Sequence, residues 1–283
     1  MATTLELPDR AATAAPAPAA ADSAAQQRQR LLRAGSIVFF AALWQLAVHL
    51  RLSLGFVSFS TMPAPSDVGP AFWELLHSPK LPLDLAASVL RVLAGFSGAA
   101  VAGVGLGLAI GRHRALEDTL LPPLEMLRPI PAVAWIPLAI LIFPSSELSM
   151  IFITFVGALF PILLNTMHGV EGADPRLVAA ARGLGTSPLR LYTEVIVPAA
   201  APAIFTGLSI GMGTAWFCLV TAEMIAGQYG IGYFTWESYT LQNYANIVVG
   251  MAIIGVLGMG SSLLVKRAGR ALTPWHQARG GHR

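Results

Sequence analysis

Few side chains in this sequence are equipped for chemistry, and the most suggestive of them stand in or beside apolar runs. Glu223 closes the apolar stretch 199–222, where an ionisable group is costly unless it meets water, a counter-charge or another subunit. Glu125 and Arg128 stand three apart in a proline-rich run, a spacing that pairs them on one helix face; an unpaired Arg128 would instead offer a cation to an anion in a cavity. Asn165, in the stretch 148–168, can hydrogen-bond a neighbouring helix or a solute in a pathway. Such groups can hold or guide a solute; they do not assemble into bond-making machinery. The two lysines, Lys80 and Lys266, follow Pro79 and Val265, so neither completes the Gly-Lys-Ser/Thr end of a phosphate-binding loop. Cys218 is alone in an apolar run and reads as a packed thiol, and the six histidines show no spacing of a metal site. The expectation is a chain with no catalytic residue and no metal centre.

A second constellation lies at residues 174–204, DPRLVAAARGLGTSPLRLYTEVIVPAAAPAI. Asp174 is placed to cap a helix whose first position is Pro175, a site where the missing N–H costs nothing. Leu177, Val178, Ala181 and Leu184 recur at helical spacing, and Ala179 and Ala180 leave little bulk to hinder another surface. Gly183 and Gly185 end that helix, Thr186 or Ser187 caps the next, and Pro198 is expected to break it. Two readings stand: an ordinary connecting loop, or a helical hairpin that docks a cytoplasmic partner.

The elements that must position these residues follow from composition. Of 283 residues, 55% are hydrophobic and 12% charged, against about 25% charged in soluble domains. A span needs about 20 apolar residues. Six fit, at 34–50, 86–110, 120–142, 148–168, 199–222 and 246–265, with five as the alternative if the first is peripheral. The third carries Pro122, Pro123, Pro129, Pro131 and Pro137 and must be kinked or broken. The glycines from Gly95 to Gly111 suit close packing of the second span.

Arginines cluster before the first span, after the second, in the hairpin and after the last, which predicts cytoplasmic termini and a cytoplasmic hairpin. The same asymmetry accounts for the net charge of +3 without nucleic acid. Residues 1–33 read as a disordered cytoplasmic tail, 34–270 as the membrane domain with its hairpin at 174–198, and 271–283 as a second tail. The fold class is all-α and polytopic.

The hairpin resembles the cytoplasmic loop of binding-protein-dependent ABC importer permeases, whose pattern is Glu-Ala-Ala, three residues, Gly, nine residues, then Ile-x-Leu-Pro. Ala179, Ala180 and Ala181 hold the first places, Gly185 the glycine, Val195 and Val197 the apolar places and Pro198 the proline; Ala179 departs from the glutamate. SVLRVLAGFSGAAVAGVGLGLAIG from Ser88, LEMLRPIPAVAWIPLAILIF from Leu124 and AEMIAGQYGIGYFTW from Ala222 are similar to the branch serving nitrate, sulfonates, taurine and bicarbonate. The resemblance implies a type I importer permease fold in a bacterial inner membrane. It implies a coupling helix formed by Ala179, Ala180, Ala181, Arg182, Gly183 and Gly185 with Pro198 beyond it. It further implies a second permease copy, two ATPase subunits that bind ATP and Mg, and an extracytoplasmic binding protein that delivers a small solute, with a small anion as the leading class. Importers of pyrimidine precursors or aromatic acids use similar permeases. A carrier driven by an ion gradient is the alternative outside the family, and an assembly protein the next.

Overall fold

Apolar runs of this length fold as helices because a bilayer leaves no water to satisfy backbone N–H and C=O groups. The computed structural model describes residues 19–53, 55 and 59–277. In chain order the helices are α1 (Ala19–His49), α2 (Pro65–Leu76), α3 (Lys80–Ile110), α4 (Arg114–Leu127), α5 (Ile136–Ile142), α6 (Ser146–Glu171), α7 (Pro175–Gly183), α8 (Pro188–Arg190), α9 (Val197–Ala226), α10 (Ile231–Thr240), α11 (Tyr244–Leu272) and α12 (Pro274–Gln277). A 3-10 turn (Ala132–Trp135) precedes α5, and a π-turn (Leu191–Ile196) joins α8 to α9.

Among the described residues five helices are long and apolar enough to cross a membrane, or six if α4 and the 132–142 helices form one broken span. The break comes where the prolines placed it, and its two halves meet at 82°. Residues 1–18 of the expected N-terminal tail and 278–283 of the C-terminal one lie outside the described residues. Residues 19–33 are helical, as the first part of α1. Alanine, glutamine and arginine dominate that segment and favour a helix despite its lack of an apolar face.

The chain divides into two units, residues 1–66 and 67–283. In the first, Gln45 on α1 fixes the loop end: its Nε2 donates to Ser66 Oγ at 3.2 Å, and the Ser66 amide donates to its Oε1 at 3.2 Å.

In the second unit α6 is central, with α3 and α9 packed along it. Small residues set these contacts, since lipid tails are as apolar as leucine and close packing of backbones is a main source of helix association in a bilayer. A Cβ on Gly107 would lie 2.6 Å from the Leu163 carbonyl oxygen, and one on Gly103 2.9 Å from Ile162 Cγ2. Across the other face of α6, a Cβ on Gly207 of α9 would lie 3.0 Å from the Pro161 carbonyl oxygen. At one end of this bundle Leu75, Leu81, Ile231 and Val249 form a small core that ties α2 and α10 to α3 and α11.

Candidate functional site

Two constellations stand at opposite ends of the α3–α6–α9 bundle. The first is the hairpin. Asp174 caps α7, its Oδ1 accepting from the Arg176 amide at 2.8 Å, and Pro175 takes the first position. Gly185 has φ +76°, a left-handed backbone that L side chains resist and that turns the chain toward Pro188. Half-buried Val178 and Ala181 pack against Leu191, Ile196 and Val170, which seats the hairpin on the ends of α6 and α9. The opposite surface is open: Leu177, Leu184 and Leu189 are 52%, 87% and 74% exposed, and Ala179, Ala180, Arg182, Gly183 and Gly185 are exposed with them.

One expectation is corrected here. Pro198 does not break the second helix; the chain is helical from Pro188 to Ala226 and Pro198 is half-buried within it. The π-turn ends at Ile196, so Pro198 falls at the start of a fresh α-helical segment, the register in which its missing N–H is tolerated.

The second constellation joins residues distant in sequence. Glu223, in the last turn of α9, is fully buried and accepts from Ser88 Oγ at 2.8 and 2.9 Å, from Arg91 Nη1 at 2.8 Å and from the Gly232 amide at 2.9 Å. Arg91 is 4% exposed and forks onto Glu147: its Nε donates to Oε2 at 2.7 Å and its Nη2 to Oε1, while Nη1 also reaches the Tyr229 carbonyl at 2.7 Å. Glu147, at the start of α6, is 57% exposed on its side chain and carries the network to the surface. The N-terminus of α10 completes it, with the Gly230 amide donating to Asp84 Oδ1 at 2.8 Å and the Ile231 amide to Ser88 Oγ at 2.9 Å. Unpaired amides at a helix start favour negative partners, and Asp84 and Glu223 supply them.

Gly230 has φ +121°, and a Cβ there would fall 2.6 Å from Glu223 Oε2, so only glycine lets the loop close over the carboxylate. A buried carboxylate bonded to a guanidinium, a hydroxyl and an amide has no lone pair left to bind a solute cheaply. The cluster therefore locks the ends of α3, α6 and α9 and the start of α10 together.

Of the sequence candidates, Glu223 meets a partner charge, one of the three conditions its position required. Glu125 and Arg128 do not pair: among the described residues both ion pairs belong to Arg91. Arg128 sits just beyond the last residue of α4, where the chain turns toward residues 129–131, and both side chains are exposed. Asn165 is half-buried, and its Nδ2 donates at 2.8 Å to the Pro161 carbonyl of its own helix rather than across helices. Cys218 is buried beside Gly157.

Arg91, Glu147, Ser88 and Asp84 escaped the sequence reading. A signal was present: Asp84, Ser88 and Arg91 follow at intervals of four and three, one polar stripe at the head of an apolar helix.

Residues 101–276 match the family model described as binding-protein-dependent transport system inner membrane component. The chain is 41% identical over 173 residues to a putative ABC transporter permease protein of Methanocaldococcus jannaschii, covering 61% of this chain and 65% of that one. It is 35% identical over 209 residues to the nitrate import permease protein of Synechocystis sp., covering 71% and 76%. To the putative aliphatic sulfonates transport permease protein of Escherichia coli it is 37% identical over 241 residues, covering 85% and 90%.

Proposed function

The chain belongs to the binding-protein-dependent transport system inner membrane component family, and on that premise we propose that it forms, with a second copy, the pathway through which a small oxyanion enters the cell. It is the permease subunit of an ABC importer, and the family match favours this over an ion-gradient carrier. The observation that carries the reading is the hairpin: a capped helix seated from behind by Val178 and Ala181, with three leucines and a strip of alanine and glycine turned outward. Exposed apolar groups on a charged loop are costly unless a partner covers them.

The partner is an ATPase subunit, one for each hairpin, and ATP and Mg belong to that subunit. Ala179, Ala180, Arg182, Gly183 and Gly185 form the docking surface; of the residues expected there, Ala181 instead faces the bundle, where it seats the hairpin, and Pro198 lies behind it. The hairpin end, with residues 1–33 and 271–283, faces the cytoplasm, and residues 34–270 cross the membrane. A solute-binding protein delivers the ligand to the other end, where the Arg91–Glu223 cluster holds the helices together. Closure of the ATPase pair moves the hairpins, and the helices carry that motion to the far end without altering the ligand. The named activities of the relatives, nitrate import and aliphatic sulfonates transport, support an oxyanion as the ligand class.

Extraction of the tagged chain from its native membrane in mild detergent tests the reading. A co-purifying P-loop ATPase that hydrolyses ATP is the expected result. A chain that is alone and takes up solute only under an ion gradient would refute it.

A further inference from the structure

The broken span carries a charge where charge is costly. Ser149 Oγ on α6 donates to the Ala139 carbonyl at 3.1 Å, and α5 and the 3-10 turn ahead of it pack on α6. Ile136 and Ala139 are buried there with Met150 and Ile153. These contacts fix the depth of the break. Seven residues lead back from Ala139 to Ala132, about 10–13 Å at 1.5–2.0 Å each. Glu147, exposed at the end of the bundle, precedes Ser149 by two residues, about 3 Å. Allowing for a tilt of α5 against α6, residues 128–131 stand roughly 10–16 Å from the level of Glu147, well inside a hydrocarbon layer about 30 Å thick.

Arg128 is exposed at this depth, and among the described residues it has no ion pair, Glu125 one turn back included. The backbone beside it is equally bare. Pro129 and Pro131 carry no N–H, and among the described residues no backbone amide donates to the Arg128, Pro129 or Ile130 carbonyls. At membrane depth, irregular backbone and an ionised side chain are tolerated only where protein buries them or water lines them. The chain itself does not bury them: residues 128–131 are all exposed, and α4 swings away from the 132–142 half at 82°. Water satisfies the carbonyls and the guanidinium together.

We propose that Arg128 is the anion-selecting residue of the transport pathway, its guanidinium facing the water through which the solute crosses. The inference deepens the importer reading and rests on it. A guanidinium is planar, stays charged and presents paired donors that match two oxygens of a nitrate, sulfonate or carboxylate group. Nothing else in the break donates: the prolines lack N–H, and the Ile130 amide is spent on the Leu127 carbonyl at 3.1 Å. One open cation therefore attracts an oxyanion without enclosing it, the weak binding that passage requires. Arg91 is the opposite case, saturated by Glu147 and Glu223 and closed to a solute.

The test measures which charge the break favours, with reagents that react only through water. Ile130→Cys is made in the full chain together with Cys218→Ala, so that it carries one thiol, and is kept in open membrane fragments with its native partners. Two methanethiosulfonates of similar size are compared, one bearing a sulfonate and the other a trimethylammonium. Both should react. The ratio of the sulfonate rate to the ammonium rate, which cancels any change in the thiol itself, should fall about 10-fold in Arg128→Gln, the effect of one unit charge a few ångströms away. Arg128→Lys should keep the ratio. Should Ile130→Cys fail to fold, Met126→Cys, at a position 79% exposed on the other side of Arg128, takes its place. No reaction with either reagent overturns the proposal, because the break is then dry against lipid or a second copy. A ratio unmoved by Arg128→Gln also overturns it, because the charge is then spent on a carboxylate of a second copy. Co-purification of the ATPase from the same membranes scores the importer reading separately. Its presence with an unmoved ratio sinks this proposal alone; its absence with an Arg128-dependent ratio sinks the importer reading and keeps the anion site.

Discussion

Replacing Arg91 by leucine should be the most damaging change at the end of the bundle away from the hairpin. The magnitude follows from burial. Arg91 is 4% exposed and Glu223 fully buried, so the variant leaves a carboxylate with only Ser88 and the Gly232 amide, and with no counter-charge. Breaking a buried pair by removing one partner costs about 3–5 kcal/mol. Glu147 is different: its side chain is 57% exposed, so Glu147→Gln should cost about 1 kcal/mol or less. Glu223→Leu is intermediate, because Arg91 keeps its fork on Glu147, while the Ser88 hydroxyl and Gly232 amide lose an acceptor at about 1–3 kcal/mol. The Arg91→Leu/Glu223→Leu double variant removes both charges and should be more stable than the sum of the singles predicts by about 1–3 kcal/mol. Unfolding of the four variants in one detergent, followed by denaturant titration, gives the ranking and the coupling. Equal costs for Arg91→Leu and Glu147→Gln, or strict additivity in the double variant, would refute the assignment of a buried pair.

At the hairpin, Gly185→Val forces a β-branched residue into φ +76° in open space, so it should strain the turn by about 1–2 kcal/mol and reduce ATPase co-purification while membrane insertion persists. Ala180→Trp adds bulk to an exposed position and should leave the unfolding midpoint in place while blocking ATPase association; unchanged association would remove Ala180 from the docking surface. Gly107→Val pushes a side chain toward the Leu163 carbonyl at 2.6 Å and should destabilise the α3–α6 contact by about 1–3 kcal/mol or more, measured by the same denaturant titration. Gly230→Ala combines φ +121° with the Glu223 carboxylate as neighbour and should loosen the loop ahead of α10, read as faster amide hydrogen exchange at Ile231 and Gly232.

What the sequence revealed was local, and what it hid was long-range. Composition and run length located the spans, and the five prolines located the broken one, because each effect acts within a few residues of its cause. Asp174, Pro175 and Gly185 could be read as cap, first position and turn for the same reason, and each has that place in the structure. Pro198 was misread because the π-turn before it changes the register, and no residue in 191–196 advertises that turn. Glu223 was noticed as a charge at the end of an apolar run, but its partner Arg91 lies 132 positions away. Periodicity on one helix names the polar stripe Asp84, Ser88 and Arg91; only the packing of α3 against α9 says what that stripe faces. Glu125 and Arg128 show the converse: correct spacing on one face does not make a pair, and both side chains stand exposed at the end of α4.

The π-turn at Leu191–Ile196 has a mechanical corollary. An α-helix advances about 100° and 1.5 Å per residue, and a π-turn holds one residue more than an α-turn over the same ground. A helical wheel phased on the hairpin side, at Pro188, therefore misassigns the faces of α9 by about 100°; probes on α9 should be phased from Val197. The same surplus residue is a length of slack. Taking it into α-register would screw α9 round by that angle relative to the hairpin, a rotation available without stretching the chain or breaking the cap at Asp174.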